Sequence, residues 1–345
     1  MEAAQSVIVL PSLAMKFLRP ILLAAIAHST PVFAVLTMDY VSVGHAGNAA
    51  DGTGYGAVAY AYQIGKYEVT NTQYTAFLNA VDGSGANTNG VYNPDMGNDA
   101  GTNGRGGITY TAGAASGEKY TIRSNMGDKP VNYVSWYDGA RFTNWMHNGQ
   151  GSGSTETGAY TLSGNTGIIT KNVGATVYLP SEDEWYKAAY YDPTPGAGGG
   201  DNYWGYPTRS NTDPTVATAD ATGVISNPGA NVVNYNIGAD WGGLNGNVTT
   251  VGSALASNYF GTADQAGNVY EWNDAIIGSS RGMRGGSFAN YYFYSDLAAG
   301  NRLDNAPTVE NSTVGFRVAS VPVPEPSSFF PAMLICIGVM MRRRR

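Results

Sequence analysis

The sequence predicts one loop-rich α+β domain, and three observations carry that reading. Charged residues make up 13% of the chain while glycine alone fills 46 of 345 positions, a composition suited to frequent turns and few long elements. Three helix starts are spelled out as caps and lie far apart in the chain. Strand-like stretches occur without regular strand–helix alternation, which argues against a doubly wound sheet.

The helices come first. Thr70-Asn-Thr-Gln73 is a capping box, in which the hydroxyl accepts an orphan amide and the glutamine reaches back. Tyr74, Phe77, Leu78 and Val81 then fall on one helical face. Ser135 or Asn132 caps another helix, with Phe142, Trp145 and Met146 as its apolar stripe. Ser181-Glu-Asp-Glu184 opens the third, followed by Trp185, Ala188 and Ala189. The aromatics of these stripes read as core, and the carboxylates of Asp183 and Glu184 suit a first helical turn. Strands are predicted within 57–64, 175–179 and 315–321. Stretches 83–118, 149–168 and 193–230, dense in Gly, Asn, Asp, Thr and Pro, read as surface loops inserted into one domain.

Neither end belongs to that domain. Lys16 and Arg19 precede an apolar run from Pro20 to Ala27, and Val32-Phe33-Ala34 offers small residues at a cleavage position. Residues 1–34 are therefore read as a signal peptide, with Met15 the better start. The domain is assigned to 35–321. Residues 322–345 hold Pro324-Glu-Pro326, thirteen residues from Phe329 to Met341 that are short for a membrane span, and four terminal arginines. This order resembles the PEP-CTERM sorting signal. The resemblance implies processing by an exosortase, transient membrane contact through the short helix, and a place at the cell envelope, cell surface or extracellular matrix of a Gram-negative-type bacterium.

The chain carries a net −7. The first 34 residues contribute +1 (Lys16 and Arg19 against Glu2) and the tail +3 (four arginines against Glu325), which leaves −11 on the domain. Such a surface repels phosphate backbones, so nucleic acid is not an expected partner. The single cysteine, Cys336, lies in the tail, so the domain has no disulfide. Histidines number three (His28, His45 and His147), and His28 sits in the signal, which rules out a three-histidine metal centre.

Six motifs then recur in a familiar order: Ile64-Gly-Lys-Tyr-Glu-Val-Thr-Asn-Thr-Gln-Tyr74, Pro130-Val-Asn-Tyr-Val-Ser-Trp136, Leu179-Pro-Ser-Glu-Asp-Glu-Trp185, Gly267-Asn-Val-Tyr-Glu-Trp272, Arg284-Gly-Gly-Ser-Phe288 and Gly315-Phe-Arg317. Together they resemble the sulfatase-modifying-factor family, whose best-known members are the formylglycine-generating enzymes. The resemblance implies a formylglycine-generating-enzyme variant of the C-type lectin-like fold. Taken on their own, Glu68, Glu184, Arg284 and Arg317 sit among apolar residues and require internal partners, and Gly285-Gly286 marks a close approach or positive φ.

The family's oxidase chemistry needs two thiolates for copper, because soft Cu(I) prefers sulfur. Asn290 and Ser295 (Tyr294 if the gap shifts by one) stand at those positions, so copper is not expected and no catalytic residue is assigned. The resemblance further implies a calcium set of the Asp264 and Glu271 side chains with the Gly267 and Val269 carbonyls. Mixed carboxylate and carbonyl oxygens suit that ion. A weaker second set maps to Asn234, Tyr235, Asn245 and Asn247 and lacks the family's aspartate. Ser287, Asn290, Tyr291, Tyr292, Tyr294, Ser295 and Arg302 form an expected ligand face, rich in the residues that recognition surfaces use. The expected function is an exported, surface-associated, non-catalytic binding module with an extracellular saccharide or protein partner. Its rivals are a divergent oxidoreductase and a structural protein of an exopolysaccharide matrix.

Overall fold

The computed structural model describes residues 35–97, 104–163, 168–290 and 294–322. The expected signal segment, the expected sorting tail with Cys336, and Tyr291 and Tyr292 lie outside these residues, as does the Tyr294 side chain.

Each predicted cap forms. In α1 (Asn71–Val81) and α3 (Glu182–Tyr190), Thr70 and Ser181 accept the amide three residues on, and Gln73 and Glu184 reach back. In α2 (Trp136–His147) the cap is Ser135, with Asp138 in the returning role. Asn132, the alternative, turns its side-chain amide to the carbonyls of Arg105 and Ser312. Tyr74, Phe77 and Leu78 of α1 are fully buried. Phe142 of α2 stacks on Tyr74 at 6.1 Å and meets Phe316 edge-on at 5.5 Å. Burial of each large side chain contributes about 1.5–3 kcal/mol, so this aromatic layer stabilises the helices more than their own short length could.

The strands are shorter and more numerous than predicted: β1 (Tyr40–Val43), β2 (Tyr62–Gly65), β3 (Ile108–Tyr110), β4 (Tyr120–Ile122), β5 (Val177–Tyr178), β6 (Thr215–Val216), β7 (Val232–Val233), β8 (Tyr270–Ile277), β9 (Ser280–Arg284), β10 (Leu303–Asn305), β11 (Val314–Phe316) and β12 (Ala319–Ser320). Two four-stranded sheets dominate. One is antiparallel in the order β1-β2-β12-β5. The other runs β10-β9-β8-β11, with β11 parallel to β8.

The β8–β9 hairpin has no counterpart among the predicted strands. Its buried faces carry Glu271, Asn273 and Arg281 beside Trp272, so no apolar alternation announces it. The predicted strand over 315–321 divides instead. Val314–Phe316 joins one sheet and Ala319–Ser320 the other, and Arg317 lies at the crossing. Loop 83–118 also proves partly ordered: it contains the 3-10 turn Pro94–Gly97 and β3, which pairs with β4.

Candidate functional site

Arg317 is wholly buried where the chain passes between the sheets. Its Nε and Nη2 donate to Glu271 of β8 at 2.5 and 2.6 Å. The remaining protons go to the carbonyls of Gly65 at 3.0 Å, Lys66 at 3.3 Å and Ala263 at 3.0 Å. Trp185 Nε1 completes the Glu271 shell at 2.7 Å. Burial alone would lower the Arg317 pKa, and the Glu271 carboxylate more than reverses that.

Two more carboxylates face this pair. Glu68 accepts from Asn268 at 3.2 Å through one oxygen, and its other oxygen, Oε2, is buried without a partner. Burial, then Asp264, push Glu68 well above the usual carboxylate range. Asp264 keeps some exposed surface, yet desolvation of its carboxyl raises it to about 6 against the Gly252 amide that it accepts. Three carboxylates therefore share one guanidinium. A charge buried without compensation is costly, so the cluster is short of positive charge.

The calcium set implied by resemblance falls on this cluster. Glu271 comes close enough to Asp264 to help raise the Asp264 carboxyl, after burial, and Gly267 adopts φ +74° beside Asn234. Glu271, however, has both oxygens engaged by Arg317 and Trp185. Among the described residues, no three acidic, histidine or cysteine side chains converge as a ready metal cage. At the second set, Asn234 donates to the Asn247 carbonyl at 2.9 Å, while its own Oδ1 is buried without a partner. Tyr235 donates to the Pro214 carbonyl at 2.7 Å, and the Asn245 carbonyl accepts from Arg105 at 2.9 Å. No carboxylate joins Asn234, Tyr235, Asn245 and Asn247 in these bonds.

The other motif arginine, Arg284, meets Glu182 at 2.9 Å through Nε and lies over the Tyr55 and Tyr186 rings at 4.6 and 4.8 Å. Arg302, expected on the ligand face, spends its guanidinium on the same Glu182 at 2.7 Å. Glu184 accepts from Tyr60 and Tyr178, both at 3.0 Å, besides its capping role. Gly285 and Gly286 have φ +98° and +73°, and a Cβ on Gly285 would sit 2.8 Å from the Gln265 carbonyl. Both expectations for that pair of glycines hold together.

Asn290, expected at the position of the family's first cysteine, is held on every side. Its Oδ1 accepts from the Ser287 amide at 2.6 Å and the Ser287 hydroxyl at 3.0 Å. Its Nδ2 donates to Tyr270 Oη at 2.8 Å and to Asp296. Asp296 also accepts from Tyr270 at 3.2 Å and from Asn301 at 3.1 Å. Ser295 is exposed beside it, on the 3-10 turn Tyr294–Leu297. Tyr270 stands inside one of the six motifs, and Asp296 and Asn301 in the stretch read as a ligand face, but nothing in their spacing ties them to Asn290. The corner offers amide, hydroxyl and carboxylate groups, none of them a soft donor for Cu(I).

Such a frame defines a sheet-rich domain held by motif-borne ion pairs. The chain belongs to the sulfatase-modifying factor enzyme 1-like domain family, which matches residues 45–321. Among solved structures it is similar to Treponema denticola variable protein 1, at 22% identity over 85% of this chain and all of that one, TM-score 0.48. CarF is similar at 20% identity over 84% of this chain and all of that one, TM-score 0.48. PvdO from Pseudomonas aeruginosa is similar at 19% identity over 83% and 93%, TM-score 0.41. No curated protein matches the sequence.

Proposed function

We propose that this chain is an exported, surface-associated, non-catalytic binding module of the sulfatase-modifying-factor family, in which a lectin-like fold recognises an extracellular saccharide or protein. Asn290 carries the reading. An oxidase of this family would place a thiolate there; here a carboxamide is satisfied by Ser287, Tyr270 and Asp296. A copper ion does not fit that donor set, so no oxidative step is derived through it. The end segments support export and an exosortase-type processing partner.

Calcium belongs to the same proposal. The orphaned Glu68 oxygen and the excess of carboxylate over guanidinium fit a divalent cation held by Asp264 and the Gly267 and Val269 carbonyls. Glu271 would reach it only by sharing its oxygens with Arg317. Bound there, the ion supplies positive charge and no chemistry.

Two measurements test this. A Cys-x-Pro-x-Arg peptide incubated with the purified chain, copper and oxygen should show no aldehyde product by mass spectrometry, beside a working positive control. Aldehyde formation would overturn the non-catalytic reading. Thermal melts with calcium and with chelator should differ, and Glu271→Ala should reduce the difference. Identical melts of the native chain would remove calcium from the proposal.

A further inference from the structure

The insertion 83–118 and β4 border a cavity of about 550 Å³ that shares no lining residue with the Asn290 corner. That volume lies within the range of small-ligand sites. One aromatic ring serves it. Tyr110 of β3 is half-buried, whereas Tyr120 is fully buried and Tyr92 nearly so. Their ring centroids stand 5.4 and 6.0 Å from that of Tyr110, so the two back this ring rather than extend it. The Tyr110 hydroxyl donates to the Gly85 carbonyl at 3.2 Å. Gly85, at φ +72°, lies so close that a Cβ there would sit 2.5 Å from the ring. Tied at its tip and packed from behind, Tyr110 is ordered before any ligand arrives.

Polar groups of both kinds stand beside that ring. The Asn87 side chain is held at each end by Tyr92: its Oδ1 accepts from the Tyr92 amide at 3.0 Å, and its Nδ2 donates to the Tyr92 carbonyl at 2.7 Å. A carboxamide nitrogen carries two protons, and the second meets no acceptor among the described residues. Thr109 lines the same cavity with a hydroxyl, which both donates and accepts. Asp95, exposed on the 3-10 turn Pro94–Gly97, brings a carboxylate that accepts no bond from a described side chain. Donor and acceptor together suit a ligand whose own groups do both, as hydroxyls do. Carboxylates and phosphates cannot donate, and they meet both Asp95 and a domain carrying −11. An ammonium cannot accept, and so leaves the Asn87 proton unmatched. A pyranose joins such hydroxyls to a flat C–H face, the counterpart of an aromatic ring.

Resting on the reading of this chain as a binding module, we propose that the cleft of Asn87, Asp95, Thr109 and Tyr110 binds an uncharged hexose oligosaccharide. One pyranose lies against Tyr110, with one hydroxyl accepting from Asn87 and another donating to Asp95. The saccharide site is then carried by the 83–118 insertion and not by the face from Ser287 to Arg302.

The purified chain is titrated calorimetrically with neutral glucose and mannose oligomers, with glucuronate oligomers and with a lysine-rich peptide. A neutral oligomer is expected to bind at least about tenfold more tightly than the glucuronate and the peptide. Its affinity should hold nearly constant as salt rises, because no ion pair is made. Asp95→Ala, a change at an exposed side chain, should weaken that binding about tenfold without moving the melting temperature. Tyr110→Phe keeps the ring and should retain most of the binding, while Tyr110→Ala should lose it. No binding of a neutral oligomer, tighter binding of glucuronate or peptide, a steep loss with salt, or indifference to Asp95→Ala would each overturn the assignment. Neutral-oligomer binding that ignores both Asp95→Ala and Tyr110→Ala would sink this cleft and leave the binding-module reading standing. Aldehyde formation from the Cys-x-Pro-x-Arg peptide would do the reverse.

Discussion

Tyr270 and Glu271 are neighbours on β8, and they point to regions built on opposite principles. Successive residues of a strand face opposite ways. Glu271 enters the Arg317 crossing, where every polar partner is buried and the bonds are charge-assisted. Tyr270 enters the Asn290 corner, where half-buried neutral groups bond to one another and to Asp296. The crossing admits few substitutions, because removing any charge strands another in the interior. The corner is more permissive, since amides and hydroxyls can replace other groups at modest cost. A family can therefore keep its fold through the first region while changing its chemistry at the second.

The largest expected effect lies at the crossing. Arg317→Met strands Glu271 in a dry interior, and breaking a buried pair from one side costs about 3–5 kcal/mol. Thermal denaturation should show a drop of roughly 10 °C or more, or failure to fold. A shift of only a degree or two would place the crossing on the same footing as the corner.

A second prediction sets charge buried with a full counter-ion against charge buried with only a distant one, since Arg141 Nη1 stays 3.9 Å from Asp138. Asp138, which caps α2, has its pKa raised to about 7 by burial, against the bonds from Ser135. A raised carboxyl pKa stabilises the fold fully only below the ordinary Asp value of 3.8, and that contribution is lost as pH rises through about 7. Melting temperature should fall by several degrees between pH 5 and pH 8. Asp138→Asn should flatten the profile, and an unchanged profile would show that Asp138 does not govern it.

The smallest effect belongs to the corner. Tyr270→Phe removes one hydroxyl shared by Asn290 and Asp296, worth about 0.5–1.5 kcal/mol. A shift of a few degrees is expected in the melt. A loss as large as that of Arg317→Met would erase the contrast between the two faces of β8.

Local chemistry was legible in the sequence and long-range partnership was not. Thr70, Ser135 and Ser181 revealed their helices because a cap and its partner lie three residues apart. Glu68, Glu184, Arg284 and Arg317 could be read as internally paired from their apolar surroundings. The identity of the partners could not: Arg317 meets a glutamate 46 positions away, and Glu182 serves arginines 102 and 120 positions on. The β8–β9 hairpin was hidden because charged residues fill its buried faces. The partnership of Asp296 and Tyr270 with Asn290 was hidden for a related reason, since only the folded corner brings them together. The tyrosines of the 83–118 insertion read as loop composition until β3 and β4 aligned them.

The crossing at Arg317 also constrains the order in which the molecule can be completed. Its guanidinium bonds to Gly65, 252 positions earlier, and β12 enters a sheet between β2 and β5, strands from the early and middle chain. Contacts of such separation close slowly, since the loop entropy is lost before they form. Neither four-stranded sheet has all its strands until the segment 314–320 arrives. A chain emerging amino end first therefore carries both sheets unfinished until this segment follows, and a truncation before Val314 removes the closing strands of both.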